Sequence, residues 1–407
     1  MSEMALLLGL LVVSYLGSIL LSGRALRGYG LPSGTEWVVL GFVIGPYGFA
    51  AVPNDSWTGF APMAAVATAW LALAMGVEYG YAGDKRASLR GFLLGISFAL
   101  VTTAAVGSAV FAITLYWIRL PFDQAWLISA GLGLCSAETT RHVVRWVGEH
   151  GVGESALLSR IEEIADTDEI VPLFGLAVLF ASLPTSSTSV QLSFGVWLAV
   201  TAALGIGLGT TCAMLIAGQR DGNDSWSVLL GAALLGTGIA WRLDISPLTV
   251  MFVMGIVLGL LSRHALTLRE MLTKTESPVL LPTLLLGGAL VRFEAPGLGW
   301  IIASALVART LIRGLLGYLL GWTNGLTNRQ RTLLGFGMSS SGAVTMLVGL
   351  AFGFRFPGPV GNTVLSAAAC MTALGELLGP SGLRRALVRT EPPPPPSAAT
   401  DQAVVSP

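Results

Sequence analysis

The sequence SALLSRIEEIADTDEIVPLFGLAVLFASL, residues 155–183, combines the apolarity and length of a membrane-spanning helix with a cluster of acids in its middle. The acids are Glu162, Glu163, Asp166, Asp168 and Glu169. A carboxylate at mid-bilayer costs about 2.5–3.5 kcal/mol even on an insertion scale, so these acids need water or fixed partners. If the span begins near Ser155, Asp168 lies roughly 20 Å along a helix that crosses about 30 Å of hydrocarbon. We therefore expect Asp168 to meet a proton or a small cation inside the membrane.

The acids of this segment fall on different faces of the helix. At about 100° per residue, Glu162, Asp166 and Glu169 share one stripe. Glu163 and Asp168 point about 140° away from each other, so one acid can bind an exchangeable ion while another is held in a salt bridge. A solvated acidic face on a cytosolic amphipathic helix is the alternative, and the long uncharged run after Glu169 argues against it.

The composition of the 407-residue chain is that of a polytopic membrane protein. Hydrophobic residues make up 53% and charged residues only 11%, with a mean hydropathy of +0.73, whereas soluble domains carry roughly 25% charge. This excludes a soluble enzyme. A formal net charge of zero and the lack of a long Lys/Arg run exclude a nucleic-acid partner. Cys135, Cys212 and Cys370 lie in apolar runs and have the spacing of neither a metal site nor a disulfide framework, so we expect them to be small buried hydrophobic residues.

Apolar runs of helical length predict an all-α polytopic membrane protein with about thirteen transmembrane helices. The predicted spans lie near residues 4–22, 35–51, 60–80, 91–118, 124–147, 155–183, 192–217, 225–242, 246–262, 277–291, 297–321, 332–353 and 360–379. Charged or Gly/Pro-bearing connections separate them. We therefore expect a multi-pass protein whose surroundings are a lipid bilayer.

Basic residues predict the orientation, because cytoplasmic connections are enriched in Lys and Arg. Most of them lie in the odd-numbered connections and after the last span. The even-numbered connections hold Arg119, Arg242, Arg292 and Arg355. This asymmetry predicts a cell-membrane protein with its N-terminus outside and its C-terminus in the cytoplasm. Arg141, Arg309 and Arg313 lie deeper within predicted spans and are the natural counter-charges for the acids.

The chain divides into one transmembrane domain, residues 1–389, and a tail, residues 390–407. The tail has a proline run and no apolar periodicity, so we expect it to be disordered and cytoplasmic.

An internal repeat links two halves of the domain, roughly 35–183 and 246–379. Three segments of the first half resemble three of the second, in the same order. They are 40–46 with 253–259, 72–78 with 284–290, and 131–140 with 335–342. Matching spans are an odd number of spans apart, so the two copies are expected to be inverted.

The third pair of segments predicts two broken helices that cross near mid-membrane. Residues 131–140 read GLGLCSAETT, and residues 335–342 read GFGMSSSG. Glycines, hydroxyls and an acid within a span allow a helix to unwind and direct its free carbonyls at a site. Close packing through small residues is the alternative. It accounts for Ser339, Ser340 and Ser341 but poorly for Glu138.

These features together resemble the monovalent cation:proton antiporter superfamily, the sodium/hydrogen exchanger fold. The resemblance extends to about Arg389. It rests on segments 30–49, 136–140, 155–183, 245–261, 280–290 and 333–352. It implies a homodimer that exchanges Na+ or K+ for protons by alternating access, without a cofactor.

The resemblance also assigns residues of the sixth and eleventh spans. Asp168 corresponds to the family's shared binding site for a monovalent cation or a proton, and Thr167 takes the preceding position, where the family has Asn or Asp. A family Glu five residues before the Asp pairs with an Arg on the eleventh span. Glu163 and Arg309 match these positions, with Arg313 as an alternative to Arg309.

In the fifth span, the family's Thr-Asp-Pro corresponds roughly to Glu138, Thr139 and Thr140. Either Glu138 or Thr139 therefore takes the binding role, and the neighbouring Arg141 is expected to neutralise Glu138.

Other functions remain open at this point. Asp166, Glu169 and Glu162 are alternative carrier acids. A non-transporting membrane scaffold or sensor would also tolerate the altered position 167. An organic-anion symporter would require a cation near the breaks, such as Arg141.

Overall fold

The computed structural model describes residues 34–50, 57–81, 88–141, 143–144, 156–183, 193–218, 224–293 and 297–387. The first predicted span, 4–22, and the proline-rich tail, 390–407, lie outside the described residues. Every long regular element within the described ranges is helical.

The helices of the first half are α1 (Thr35–Ile44), α2 (Trp57–Gly80), α3 (Leu89–Ala112, extended by a π-helical turn, Ile113–Trp117), α4 (Phe122–Cys135), α5 (Ala156–Thr167) and α6 (Ile170–Ala181). They are followed by α7 (Phe194–Ala217), α8 (Asp224–Arg242), α9 (Pro247–Leu261), α10 (Ala265–Ala289), α11 (Leu298–Thr323), α12 (Asn328–Gly337), α13 (Ala343–Arg355) and α14 (Pro359–Leu387).

Each predicted span from the second onward contains a helix or a pair of helices. The largest difference is α10, which begins at Ala265 instead of near residue 277. The first turns of α10 were not included in the predicted span because charged side chains such as Arg269 lower their average hydropathy. The positions of Ala265, Leu268 and Leu272 give it a buried stripe, which explains why the helix continues there.

Length and composition alone qualify four helices in the described residues as candidate membrane spans. They are Gly59–Gly80, Leu89–Trp117, Phe194–Ala217 and Leu298–Thr323. Two shorter apolar helices, Pro247–Leu261 and Ala343–Arg355, add to them. The chain is a multi-pass membrane protein.

Helix contacts divide the described residues into two groups, which we call the first and second bodies. The first body contains α1, α2 and α7–α10, and the second contains α3–α6 and α11–α14. Within the first body, α2 and α9 pack closely against each other. A Cβ on Gly76 of α2 would lie only 2.2 Å from the carbonyl oxygen of Phe252 on α9. Contacts between the bodies are sparser and involve mainly α6 with α7 and α9, α13 with α2 and α10, and α14 with α1.

Candidate functional site

The acidic segment divides into two helices at Asp168. Helix α5 ends at Thr167, and α6 begins at Ile170. Pro172 explains the interruption, because proline has no N–H to donate to the carbonyl of Asp168, four residues earlier, and its ring crowds that carbonyl. Asp168 is fully buried, and Glu169 is almost as deeply buried. The local sequence thus puts two acids at a turn between helices inside the protein.

The two predicted polar breaks are both present. Helix α4 ends at Cys135, and the chain is non-helical as far as Thr140. Helix α12 ends at Gly337, and α13 begins only at Ala343. Each break leaves backbone N–H and C=O groups without helical partners, and these groups need others.

Glu138 joins the first break to the start of α13. Its Oε2 accepts hydrogen bonds from the backbone N–H groups of Gly342 at 3.3 Å and Thr345 at 2.6 Å, and from the Thr345 hydroxyl at 2.9 Å. N–H groups at a helix start carry partial positive charge, so a carboxylate is stabilised there. The expectation that Arg141 neutralises Glu138 is therefore wrong. The start of α13 supplies the compensating charge, and Arg141 binds other acids.

Arg309 is bound by backbone carbonyls from both breaks. In the first break it donates to Ser136 at 3.3 Å and Glu138 at 2.7 Å. In the second it donates to Ser339 at 2.5 Å and Ser340 at 2.9 Å. Carbonyls released at the end of a helix carry partial negative charge, and a guanidinium offers five donors. Arg309 therefore holds the two breaks together and neutralises them.

The predicted ion pair between Glu163 and Arg309 is not formed. The hydroxyl of Ser88 donates to Glu163 Oε2 at 3.2 Å, and a Cβ on Gly91 would lie 2.0 Å from that oxygen. Both residues belong to the start of α3. Glu163 thus faces α3, whereas Arg309 lies on α11 and is already surrounded by carbonyls.

Arg313, one turn beyond Arg309 on α11, is the partner of Asp168. Its Nη1 lies 3.1 Å from Asp168 Oδ2, and both side chains are 0% exposed. The same guanidinium donates to the hydroxyl of Thr139 and the carbonyl of Ala137. The other oxygen of Asp168, Oδ1, is buried without a hydrogen-bond partner among the described residues. Asp168 therefore has one paired and one available oxygen.

Two other predicted hydroxyls are used within the helical framework. Thr167 donates to the carbonyl of Glu163 at 2.8 Å and packs against Gly95 of α3. Ser341 donates to the carbonyl of Met371 at 2.6 Å. Both hydroxyls are thus engaged by backbone, in contrast to the hydroxyl of Thr139.

Arg141 forms the centre of a second charged cluster. Its guanidinium lies 2.7 Å from Glu78, 2.6 Å from Glu169 and 3.6 Å from Asp166. Glu78 also lies 3.4 Å from Arg269. Asp166 and Glu169 meet one arginine because they share the predicted stripe. We predicted no role for Glu78 from the sequence, although a charge at the end of the apolar helix α2 could have indicated one.

The arrangement around Asp168 suits competition for one carboxylate. Burial favours the neutral, protonated carboxyl, whereas a bound cation favours the ionised form. Arg313 already shows that a positive charge is accommodated at Oδ2. Among the residues that the structure describes, no group of three or more His, Cys, Asp or Glu side chains could hold a metal ion.

A buried acid beside two meeting helix breaks, in a multi-pass helical protein, defines the class of secondary transporters. The family described as "Sodium/hydrogen exchanger, transmembrane" matches residues 11–389. The chain belongs to this family. It is a transporter and not an enzyme.

Solved structures show the same fold. The chain is similar to the sodium proton antiporter MjNhaP1 from Methanocaldococcus jannaschii at pH 8, with a TM-score of 0.67 and 14% identity, over 95% of this chain and 98% of that one. A second structure, described as a 3D EM map of the same antiporter, gives a TM-score of 0.65 and 16% identity, over 97% and 100% of the two chains. Comparison with curated protein sequences gives no match.

Proposed function

We propose that the protein exchanges a monovalent cation, Na+ or K+, for protons by alternating access, with Asp168 as the carboxylate that carries both. Membership of the sodium/hydrogen exchanger family supports the exchange. The observation that carries the choice of Asp168 is its full burial, with one oxygen paired to Arg313 and the other without a hydrogen-bond partner in the described part of the chain. A carboxylate in that condition gains from binding either a proton or a cation.

The other acids near the breaks are engaged in ways that suit structure better than exchange. Glu138 is bound by the start of α13. Glu169 lies 2.6 Å from a guanidinium, and Glu163 is bonded at the start of α3. The side chain of Asp166 is 39% exposed, so it is much less enclosed than that of Asp168. Asp168 is the acid whose exposure would have to alternate.

Arg313 acts in this scheme as the resident counter-charge of an ion-free site. Its Nη1 contacts Asp168 Oδ2 and the hydroxyl oxygen of Thr139. A cation that displaces Nη1 would meet the same two oxygens, together with carbonyls of the unwound first break. A proton on Asp168 would weaken the pairing with Arg313 as well, because it removes the charge that holds the guanidinium. Proton and cation thus compete with each other and with Arg313.

The local charges favour electroneutral exchange. One buried acid carries one proton or one monovalent cation, and Thr167, at the preceding position, adds no second charge. Each full cycle would therefore move no net charge.

The two alternative functions receive different support. A scaffold or sensor would use the pair of Asp168 and Arg313 as a permanent structural bond, and the full burial of both side chains favours it. An organic-anion symporter has less support, because Arg141, its expected anion-binding group, already contacts three carboxylates.

The same proposal includes the organisation of the chain in the cell membrane. We propose inverted halves near 35–183 and 246–379 within one domain, 1–389, and a cytoplasmic tail, 390–407. The protein would be a homodimer in the lipid bilayer, with its N-terminus outside.

The decisive experiment is proton flux in proteoliposomes driven by gradients of Na+, K+ or Li+, with choline as the control cation. Wild-type protein should couple proton movement to at least one alkali cation, and the rate should not depend on an imposed membrane potential. Asp168→Asn should reduce the flux to that of empty liposomes, since a neutral amide cannot alternate between proton and cation.

The matched controls are Asp166→Asn, Glu169→Gln and Glu162→Gln, which remove the alternative acids one at a time. Each should retain cation-coupled flux. Flux that survives Asp168→Asn but disappears in one of these variants would assign the carrier to the other face. If a gradient of none of the three alkali cations drives proton flux in the wild type, the scaffold or sensor replaces the exchanger as the proposed function.

A further inference from the structure

The ion pairs Glu78–Arg141 and Asp244–Arg355 each join the first body to the second. Arg141 Nη1 lies 2.7 Å from Glu78 Oε2, and Arg355 Nη1 lies 3.6 Å from Asp244 Oδ1. Glu78 and Asp244 belong to the first body, near the end of α2 and between α8 and α9. Arg355 ends α13 of the second body. Arg141 follows α4, and the buried residues 143–144 just after it pack in a cluster with α5 and α12, so Arg141 also moves with the second body.

The two pairs lie at different levels along α2. A cavity of about 100 Å³ beside Asp244 and Arg355 is lined on α2 by Ala65 and Thr68. Glu78 lies ten residues beyond Thr68, or roughly 15 Å along the helix. The remaining walls of the cavity come from both bodies. One pair therefore closes the seam between the bodies near each end of α2.

Neutral contacts join the bodies between these two levels. The hydroxyl of Thr249 on α9 donates to the carbonyl of Leu173 on α6 at 2.6 Å. The rings of Phe252 on α9 and Phe174 on α6 lie 5.9 Å apart. Contacts of this kind tolerate a small rotation better than two ion pairs do, because they hold no charge in a fixed geometry. Between the levels of the two ion pairs, the seam is thus held by neutral contacts.

We propose that the pairs Glu78–Arg141 and Asp244–Arg355 are two latches, and that exposing Asp168 to either side requires one latch to open while the other holds. The proposal rests on the alternating-access function above. Rotation of one rigid body against another about a central contact separates one end of their seam. With both latches closed, as here, Asp168 is 0% exposed, which is the occluded arrangement.

The latches differ in strength. Arg141 contacts three carboxylates and lies 5.9 Å from the ring of Tyr79. Arg355 contacts one carboxylate at a longer distance, lies over the rings of Phe180 and Phe356, and has a buried Nε without a hydrogen-bond partner among the described residues. Asp166 and Glu169 belong to the same body as Arg141, so separating the first pair breaks its contacts with Glu78 and Tyr79, whereas separating the second pair breaks one longer ion pair. The end with Arg355 should therefore open more readily than the end with Arg141.

Hydrogen–deuterium exchange of the full chain in lipid nanodiscs tests the latches without requiring transport. Asp244→Asn removes the charge and still suits the positive φ of 58° at this position, which asparagine tolerates. Exchange should become roughly threefold to tenfold faster in residues 241–249 and 352–358, with little change near Glu78. Arg355→Gln should give the same pattern, and Arg355→Lys a weaker one.

Glu78→Gln should give the opposite pattern, with faster exchange in residues 76–81 and 139–144 and little change near Arg355. Arg269→Gln is the matched control, because it removes another charge next to Glu78 but one that joins two helices of the same body. It should leave exchange at both ends as in the wild type. Equal increases at both ends in Asp244→Asn and Glu78→Gln would overturn the proposal, as would no change in either variant.

The flux and exchange measurements distinguish failure of the exchanger from failure of the latches. Absence of cation-coupled flux in the wild type, combined with end-specific exchange, would overturn the exchanger and retain two latches between the bodies. Normal flux with equal exchange at both ends would retain the exchanger and overturn the latches.

Discussion

Asp168 and Glu169 are neighbours in the chain, yet each meets a different arginine in a different environment. Asp168 lies 3.1 Å from Arg313, and both side chains are completely buried. Glu169 lies 2.6 Å from Arg141, whose other acidic partners are partly exposed. The turn between α5 and α6 sends the two carboxylates to opposite clusters. One cluster holds a single acid with an available oxygen, and the other spreads several charges across the seam between two bodies.

The two clusters differ in the number of carboxylates that contact the arginine, and this number affects how much the loss of one acid should cost. Arg141 has three carboxylates, so the loss of one leaves it still compensated. Within the described ranges, Arg313 contacts one carboxylate and Asp168 contacts one arginine. Removing either member of that pair leaves an uncompensated charge in a buried place.

Arg313→Gln should lower the free energy of unfolding by about 3–5 kcal/mol, because it leaves the carboxylate of Asp168 buried without its partner. Adding Asp168→Asn should recover much of that loss, since neither buried charge remains. Thermal unfolding of the wild type, both single variants and the double variant gives the coupling. Strictly additive losses would contradict the pairing.

Glu169→Gln should cost less, about 1–3 kcal/mol, because Arg141 retains Glu78 and Asp166 and the amide oxygen can still accept a hydrogen bond. The same unfolding assay measures it beside Arg313→Gln. A loss equal to or greater than that of Arg313→Gln would remove the distinction between the two clusters.

Thr139→Val should weaken cation binding without unfolding the protein. The hydroxyl of Thr139 lies beside Arg313 Nη1, where the proposed cation would sit, and one hydrogen bond or ligand contact contributes about 0.5–1.5 kcal/mol. The apparent KM for the cation in the flux assay should rise roughly twofold to tenfold. An unchanged KM would exclude this hydroxyl from the site.

Thr167→Val should have the smallest effect and is the matched partner of Thr139→Val. The hydroxyl of Thr167 is bonded to the carbonyl of Glu163 in its own helix, and valine keeps its shape. Stability should change by less than about 0.5 kcal/mol, and the KM for the cation should stay within a factor of about two. A large rise in KM would place Thr167 at the ion after all.

Much of the fold was predictable from local sequence. Composition and apolar run length indicated a helical membrane protein, and the segments 131–140 and 335–342 indicated where two helices break. The length of α10 was missed, because its first turns are charged on one side and apolar on the other. A window that counts only average hydropathy cannot detect such a stripe.

The partner of each arginine was decided by the tertiary structure. Arg309 was expected to pair with Glu163, but its partners are four backbone carbonyls. Every residue has a backbone carbonyl, so no sequence pattern indicates which carbonyls will bind an arginine. Arg313 contacts Asp168 because it lies one turn beyond Arg309 on α11, and the orientation of this helix directs the two side chains to different parts of the site.

The local sequence predicted that Asp168 would be buried, since apolar residues surround it, and its side chain is 0% exposed. It also determined the interruption at that carboxylate, through Pro172. Which charge compensates it depended on helices more than a hundred residues away, whose rotation and distance no local pattern encodes. The interaction energy of two charges in a low-dielectric interior changes strongly over a few ångströms, and the packing of the helices sets the distance between the charges.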